Sequence, residues 1–289
     1  MTRPARMARV VLVVLVALGL GPGCGDDGPS NTVDAAGGSG GEPGLTPAAA
    51  SIELAVRGGR TVVTGVLAGP SPAAYEVEAA SDRCQVRRLV ASSCPVPCGF
   101  GEACVGDQCV PPPPLRSAGT LVLTGGGQVR QVAFGPGGYV LLEDGEVWPT
   151  GTAVSIYAPG GEVGGFAGEV TMVAPLAGVT PAQPMPTAGQ PLVLTWSAPD
   201  PAARVRLTLI SELQHGAPAP VLVDCDVADV GRLEVPVAAV DAITEPGIWG
   251  CGRCPVSTLV RYRRAEVVAS DLGPVELRAV GAGVEFIAR

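Results

Sequence analysis

Three observations predict an all-β protein. The chain has 41 glycines and 29 prolines in 289 residues with only 4% aromatic side chains. It contains many short runs of alternating apolar and polar residues, and no long stretch after residue 23 repeats apolar residues at helical spacing. In full, the sequence predicts two β-sandwich-like units with a small disulfide-rich N-terminal module, preceded by a signal peptide and a disordered tether.

Residues 1–23 combine Arg3, Arg6 and Arg9 with an apolar run at 10–20 and then Gly21-Pro22-Gly23, directly before Cys24. The run is about eleven residues long, against the roughly 20 that span a bilayer as a helix, and Pro22 interrupts it. That is the layout of a bacterial export signal closed by a cysteine that takes lipid. The alternative is ordinary cleavage with Cys24 incidental. Residues 24–50 are Gly, Asp, Ser, Pro and Ala with almost nothing large and apolar. Such a segment cannot bury enough surface to offset the entropy of ordering, so a lipid-anchored, disordered tether with a span of about 25–30 Å is expected.

The first β element is a hairpin. Ile52, Leu54 and Val56 alternate with Glu53, Ala55 and Arg57, Gly58-Gly59 supplies a turn, and residues 61–67 form a second β-rich run. With a strand at 75–80 and the cysteines that follow, 51–110 reads as a β hairpin plus cysteine-rich module. Pro111, Pro112, Pro113 and Pro114 make 111–116 a stiff spacer and a domain boundary.

Residues 117–175 read as one β unit, with strands at 120–124, 129–134, 139–142, 153–157 and 169–173 and a glycine-rich loop at 159–165. Asp144-Gly145, inside Glu143 to Glu146, is read as the turn of a hairpin leading into Val147-Trp148, since both central residues of such a turn need positive φ. Residues 176–289 read as an immunoglobulin-like β-sandwich, with strands at 192–196, 204–210, 220–226, 232–235, 258–268 and 275–277. In the 204–210 run, Val205, Leu207 and Leu209 share one face and Arg204, Arg206 and Thr208 the other, so that strand covers a core on one side. One helical turn is expected at 237–243.

Eight cysteines remain beyond Cys24. Cys94, Cys98, Cys104 and Cys109 fall within sixteen residues that hold almost no large apolar side chains, so the segment needs covalent or metal crosslinks. Zinc is one reading; outside the cytoplasm two disulfides are the favoured one. The segment resembles the small knots of growth-factor-like modules, and of the three connectivities open to four cysteines we expect Cys94 with Cys104 and Cys98 with Cys109. Cys84 is left in the first half, against Cys225, Cys251 and Cys254 in the second. Full oxidation then requires at least one bridge between the halves: Cys251 joins Cys254, or one of them joins Cys225, and Cys84 takes the remaining partner.

The other chemistry-bearing residues weigh against catalysis. Cys251-Gly252-Arg253-Cys254 has the Cys-x-x-Cys spacing of a thiol-disulfide oxidoreductase, but it lies among loops and strands where redox enzymes place it at a helix start; a structural bridge is favoured. His215 is the only histidine, and it sits in a turn-like Gln214-His215-Gly216. The nucleophile-elbow match at residues 37–41 lies in the tether. Asp224, Asp226 and Asp229 offer oxygen ligands without the spacing of a calcium loop, and a solvated strand end is favoured. Arg261, Arg263 and Arg264 form a basic cluster, read as salt-bridged surface rather than an anion site. Trp148, Trp196 and Trp249 are candidates for a sugar platform, with Trp196 favoured as core. No catalytic residue, cofactor or metal is expected. Removing the three leader arginines takes the formal charge from −8 to −11, which argues against nucleic acid as a partner.

Several stretches together resemble the uncharacterised cell-surface lipoproteins of large-genome, GC-rich Gram-negative bacteria. They are the leader with Cys24, the acidic glycine-rich tether and the cysteine cluster. With them go Gly119-Thr120-Leu121-Val122, Pro159-Gly160-Gly161 before Phe166, Leu192-Val193-Leu194-Thr195-Trp196, and Asp224-Cys225-Asp226 before Gly231. The resemblance implies a place in the cell envelope and a β-sandwich body; it transfers no catalytic residue. The expected partners are a membrane, through acyl chains on Cys24, and an envelope protein or glycan. The function expected is binding or scaffolding, with a thiol-disulfide oxidoreductase or a carbohydrate-binding module as alternatives.

Overall fold

The computed structural model describes residues 50–70, 75–89, 94–96, 98, 102–211, 221–244 and 257–286. The expected leader, Cys24 and the tether up to residue 49 lie outside the described residues, as do His215, Trp249, Cys251 and Cys254. No helix among the described residues is long and apolar enough to cross a membrane.

The first part of the chain forms β1 (Ala50–Arg57), β2 (Arg60–Leu67), β3 (Tyr75–Ala80), β4 (Cys84–Leu89), β5 (Ala103–Val105) and β6 (Gln108–Val110). The middle part forms β7 (Leu121–Gly125), β8 (Gln128–Val132), β9 (Phe134–Gly135), β10 (Gly138–Asp144), β11 (Ala153–Ala158) and β12 (Phe166–Thr171). Then come β13 (Ala177–Thr180), β14 (Leu192–Ser197), β15 (Arg204–Ile210), β16 (Val221–Ala228), β17 (Arg232–Val235), α1 (Val237–Thr244), β18 (Ser257–Ala269), β19 (Gly273–Val280) and β20 (Val284–Phe286). The molecule is all-β as predicted, and its single described helix falls on the expected turn.

An eleven-stranded sheet runs in the order β3-β4-β16-β15-β18-β19-β1-β2-β10-β9, with β20 pairing with β18. Two smaller sheets, β12-β11-β7-β8 and β13-β14-β17, close sandwich-like cores against it. In the first core, Ile52, Leu54 and Val63 of the large sheet meet Leu121, Leu123 and Ile156, with Trp148 and Tyr139 enclosed. In the second, Val205, Leu207, Val221 and Val223 meet Leu194, Trp196, Leu233 and Val240.

Strand β18 joins the two cores. It has 13 residues, about 40 Å at roughly 3.3 Å per residue, and its side chains alternate between faces. Leu259 lies in the second core, while Ala265 and Val267, an even number of residues further on and therefore on the same face, pack against the first. Both small sheets thus sit on one face of the large one.

This architecture corrects the expected divisions. The β1–β2 hairpin is not part of a separate module: β1 pairs in parallel with β19, Ile52 opposite Leu277, and β2 pairs with β10, Leu141 opposite Val63. A lone two-stranded hairpin is marginal in water, and pairing both its edges removes that weakness. The proline run does not separate two bodies either, since the Arg116 N–H donates to Leu67 O at 2.8 Å. Nor is 176–289 a sandwich closed by its own strands, because β4 completes it beside β16.

The Asp144-Gly145 hairpin is also corrected. Strand β10 pairs with β2 as far as Asp144, while β9 meets its other edge only at Gly138 and Tyr139. The chain after Gly145 does not return along the part of that edge left open. Gly145, at φ 86°, instead holds the chain beside β2: Thr61 Oγ1 donates to Gly145 O at 2.8 Å and accepts from the Val147 N–H at 2.9 Å. Trp148 is thereby turned into the first core.

Candidate functional site: a carboxylate and arginine face

The face of the large sheet opposite the two cores carries a row of charge. On β16, Cys225 points into the second core, so its neighbours Asp224 and Asp226 point to the other side. They meet arginines from the flanking strands along diagonals of the ladder. Asp224 accepts from Arg87 Nη2 on β4 at 2.8 Å, from Arg206 Nε on β15 at 2.7 Å, and from Arg206 Nη2. Asp226 accepts from Arg204 Nε at 2.8 Å and from the Tyr262 hydroxyl on β18 at 2.5 Å. The Asp224 cluster ties β4, β16 and β15 together and the Asp226 cluster ties β16, β15 and β18, so the two together crosslink four adjacent strands.

A third carboxylate sits at the seam between the cores. Asp229 accepts from Trp196 Nε1 at 2.5 Å, Arg261 Nε at 2.6 Å and the Asp200 N–H at 2.9 Å. Arg261 spends its remaining donors on Pro175 O at 3.2 Å and Ala198 O at 2.8 Å. Arg263 reaches both oxygens of Asp200, at 3.2 and 2.9 Å.

These positions overturn the solvated strand end. Asp224, Asp226 and Asp229 are 0%, 3% and 1% exposed. Buried carboxylates of this kind are tolerable only when paired and hydrogen-bonded, which the arginines accomplish, although Arg87 Nε is itself left without a partner. Their oxygens face cationic donors, an arrangement that repels a calcium ion. Arg261 likewise is not surface: it is 2% exposed. Burial works to lower the pKa of Arg206 and Arg204, but the charge and hydrogen bonds of Asp224 and Asp226 prevail and hold both guanidiniums above their ordinary value. Burial first, and then the charge and hydrogen bond of Asp226, push the Tyr262 phenol above its usual range.

The cysteines divide as expected where they are described. Cys94 bonds Cys104 and Cys98 bonds Cys109, pinning the β5–β6 hairpin, and Cys84 bonds Cys225 across 141 residues of sequence. Cys84 and Cys225 are register partners on β4 and β16, with Cα atoms 4.0 Å apart. The Asp226 N–H donates to Arg83 O at 2.9 Å, which makes the cysteines a non-hydrogen-bonded pair, the closer of the two antiparallel spacings.

Trp148 and Trp196 do not form a sugar platform, since they are 0% and 6% exposed. The glycine-rich loop at 159–165 is pinned at its middle, since Val163 is buried and its N–H donates to Ser117 O at 2.9 Å. A more open feature is a groove of ≈ 340 Å³ between α1 and the β3–β4 edge, lined by Ala79, Val86, Ala238 and Ala242. Its charged rim is already engaged: Arg88 pairs with Glu78 at 3.2 Å, and Asp241 accepts from the Gly189 N–H at 2.7 Å.

Sequence reasoning missed the network's arginine partners Arg87, Arg204 and Arg206 and its tyrosine. A signal was present: Arg-x-Arg-x-Thr on one strand complements Asp-x-Asp on the next, and two such strands laid antiparallel interlock diagonally. Comparison with protein-family models and with curated protein sequences finds no match.

Proposed function

We propose that this chain is an exported, lipid-anchored protein of the cell envelope whose β body binds or scaffolds an envelope protein or glycan. The observation that carries the reading is the Cys84–Cys225 bridge, set inside the large sheet and closing a 141-residue separation. Bridges of this kind persist in oxidising compartments and are rare in the cytosol. The leader ending at Cys24 supplies the route out and the point of acylation. The carboxylate and arginine network supports a rigid body rather than a reactive centre, because its charged groups neutralise one another across four strands. The net charge of −11 without the leader disfavours nucleic acid and leaves protein or glycan as partner.

Intact-mass measurement of protein from its native host, after membrane fractionation, tests the reading. Expected are a chain beginning at Cys24, the added mass of acyl chains, and bridged cysteines. Uncleaved chain in the cytosolic fraction with reduced thiols overturns it.

A further inference from the structure

The cysteine-rich module gathers its sulfurs into a space that one metal ion can span. The Sγ atoms of Cys94, Cys98 and Cys109 all lie within 4.8 Å of one another, and Cys104 Sγ is bonded to that of Cys94 at 2.02 Å. Cys104 and Cys109 face each other directly across the β5–β6 hairpin, whose Gly106-Asp107 turn has φ of 55° and 62°. Three residues separate Cys94 from Cys98 and four separate Cys104 from Cys109. Both spacings fall within the two to four residues typical of zinc-thiolate pairs, and a tetrahedral ion with Zn–S of about 2.3 Å places its sulfurs roughly 3.8 Å apart. The disulfides are within reach of a reductant, since Cys109 is exposed and the other three are half-buried.

We propose that this module has a second crosslinked form: when its two disulfides are reduced, Cys94, Cys98, Cys104 and Cys109 bind one Zn²⁺ as a tetrathiolate. Reduction by a dithiol balances as two protein disulfides and two dithiols giving four protein thiols and two oxidised, cyclic disulfides. Binding then releases the four thiol protons to solvent and forms four zinc–sulfur bonds, leaving a site of charge −2. No side chain outside the module is needed. The hairpin is too short to hold itself together, so an ion that replaces the covalent crosslinks restores the same closure. The oxidised module, whose sulfurs are bonded to one another, takes no zinc.

The test uses the full mature chain, oxidised and dithiol-reduced, with Zn²⁺ followed by native mass spectrometry and Co²⁺ by its visible absorption. Expected are one Zn²⁺ per reduced chain, none per oxidised chain, and a tetrahedral cobalt–thiolate spectrum. Cys104→Ser/Cys109→Ser abolishes both signals, while Cys251→Ser/Cys254→Ser leaves them. Because β5 and β6 form their own two-stranded sheet, far-UV circular dichroism of the Cys104→Ser/Cys109→Ser chain is expected to match the parent and so separates a lost site from a lost fold. Absence of zinc in the reduced parent, or its retention by Cys104→Ser/Cys109→Ser, overturns the proposal.

Discussion

Two tryptophans, each buried in one core, differ in a single hydrogen bond. Trp196 Nε1 donates to Asp229, whereas Trp148 Nε1 is buried without a partner. Both Trp→Phe changes lose ring volume from a packed core, but Trp196→Phe also leaves Asp229 short of a donor and is expected to cost about 1–3 kcal/mol more than Trp148→Phe. Urea denaturation of both variants checks the order; equal losses would contradict it. Tyr262 adds a dependence on pH. Its folded pKa is raised, and a tyrosine in the unfolded chain ionises near pH 10, so this group's contribution is complete below about pH 10 and is lost as pH climbs above it. Tyr262→Phe is expected to be less stable than the parent by about 1–3 kcal/mol at pH 7. The gap should narrow above about pH 10; urea midpoints that stay equally separated across that range argue against the assignment. Gly138 shows a backbone requirement of the same local kind, with φ 86° and a Cβ that would fall 2.3 Å from Gly65 O.

Among the elements, β4 is held by side chains as much as by its ladder. The Cys84–Cys225 bridge lies on its core face and the Arg87–Asp224 ion pair on the other. Removing the bridge as Cys84→Ala/Cys225→Ala is expected to cost about 2–4 kcal/mol. Amide exchange should quicken mainly in β3 and β4, and uniform acceleration across the sheet would refute a local role for the bridge. How much of each element could be read in advance follows from the kind of signal it carries. Strands such as β15 were legible because apolar and polar residues alternate, and the β5–β6 bridges because all four cysteines lie close in sequence. The partner of Cys84 was left open, since a pairing 141 residues away depends on which strands become neighbours. The Asp144-Gly145 turn was misread for a related reason: local preference favours a hairpin, and the hydroxyl of Thr61, distant in sequence on β2, instead holds Gly145 O and the Val147 N–H.

At the scale of the molecule, the two cores share a strand. Leu259 and Val267 anchor β18 in different cores, and Arg261 between them is tied to both sides of the seam through Pro175, Ala198 and Asp229. Independent unfolding would have to tear this strand along its length. Single-tryptophan chains retaining Trp148 or Trp196 are therefore expected to report coincident denaturation transitions. Leu277→Ala, in the first core, should lower the midpoint seen by Trp196 in the second, with a loss of about 2–5 kcal/mol. Two separated transitions would show the cores to be independent.

Composition and alternation by themselves determined the all-β class, the positions of most strands and the crosslinked character of the cysteine segment, because each depends on residues close together in the chain. Only the tertiary structure decided that the N-terminal hairpins join opposite regions of a sheet built largely from later strands, and that Asp224, Asp226 and Asp229 are buried rather than solvated. A strand pattern states which face is apolar but not which distant edge completes the ladder. A carboxylate's environment is likewise set by the arginines that pairing brings beside it.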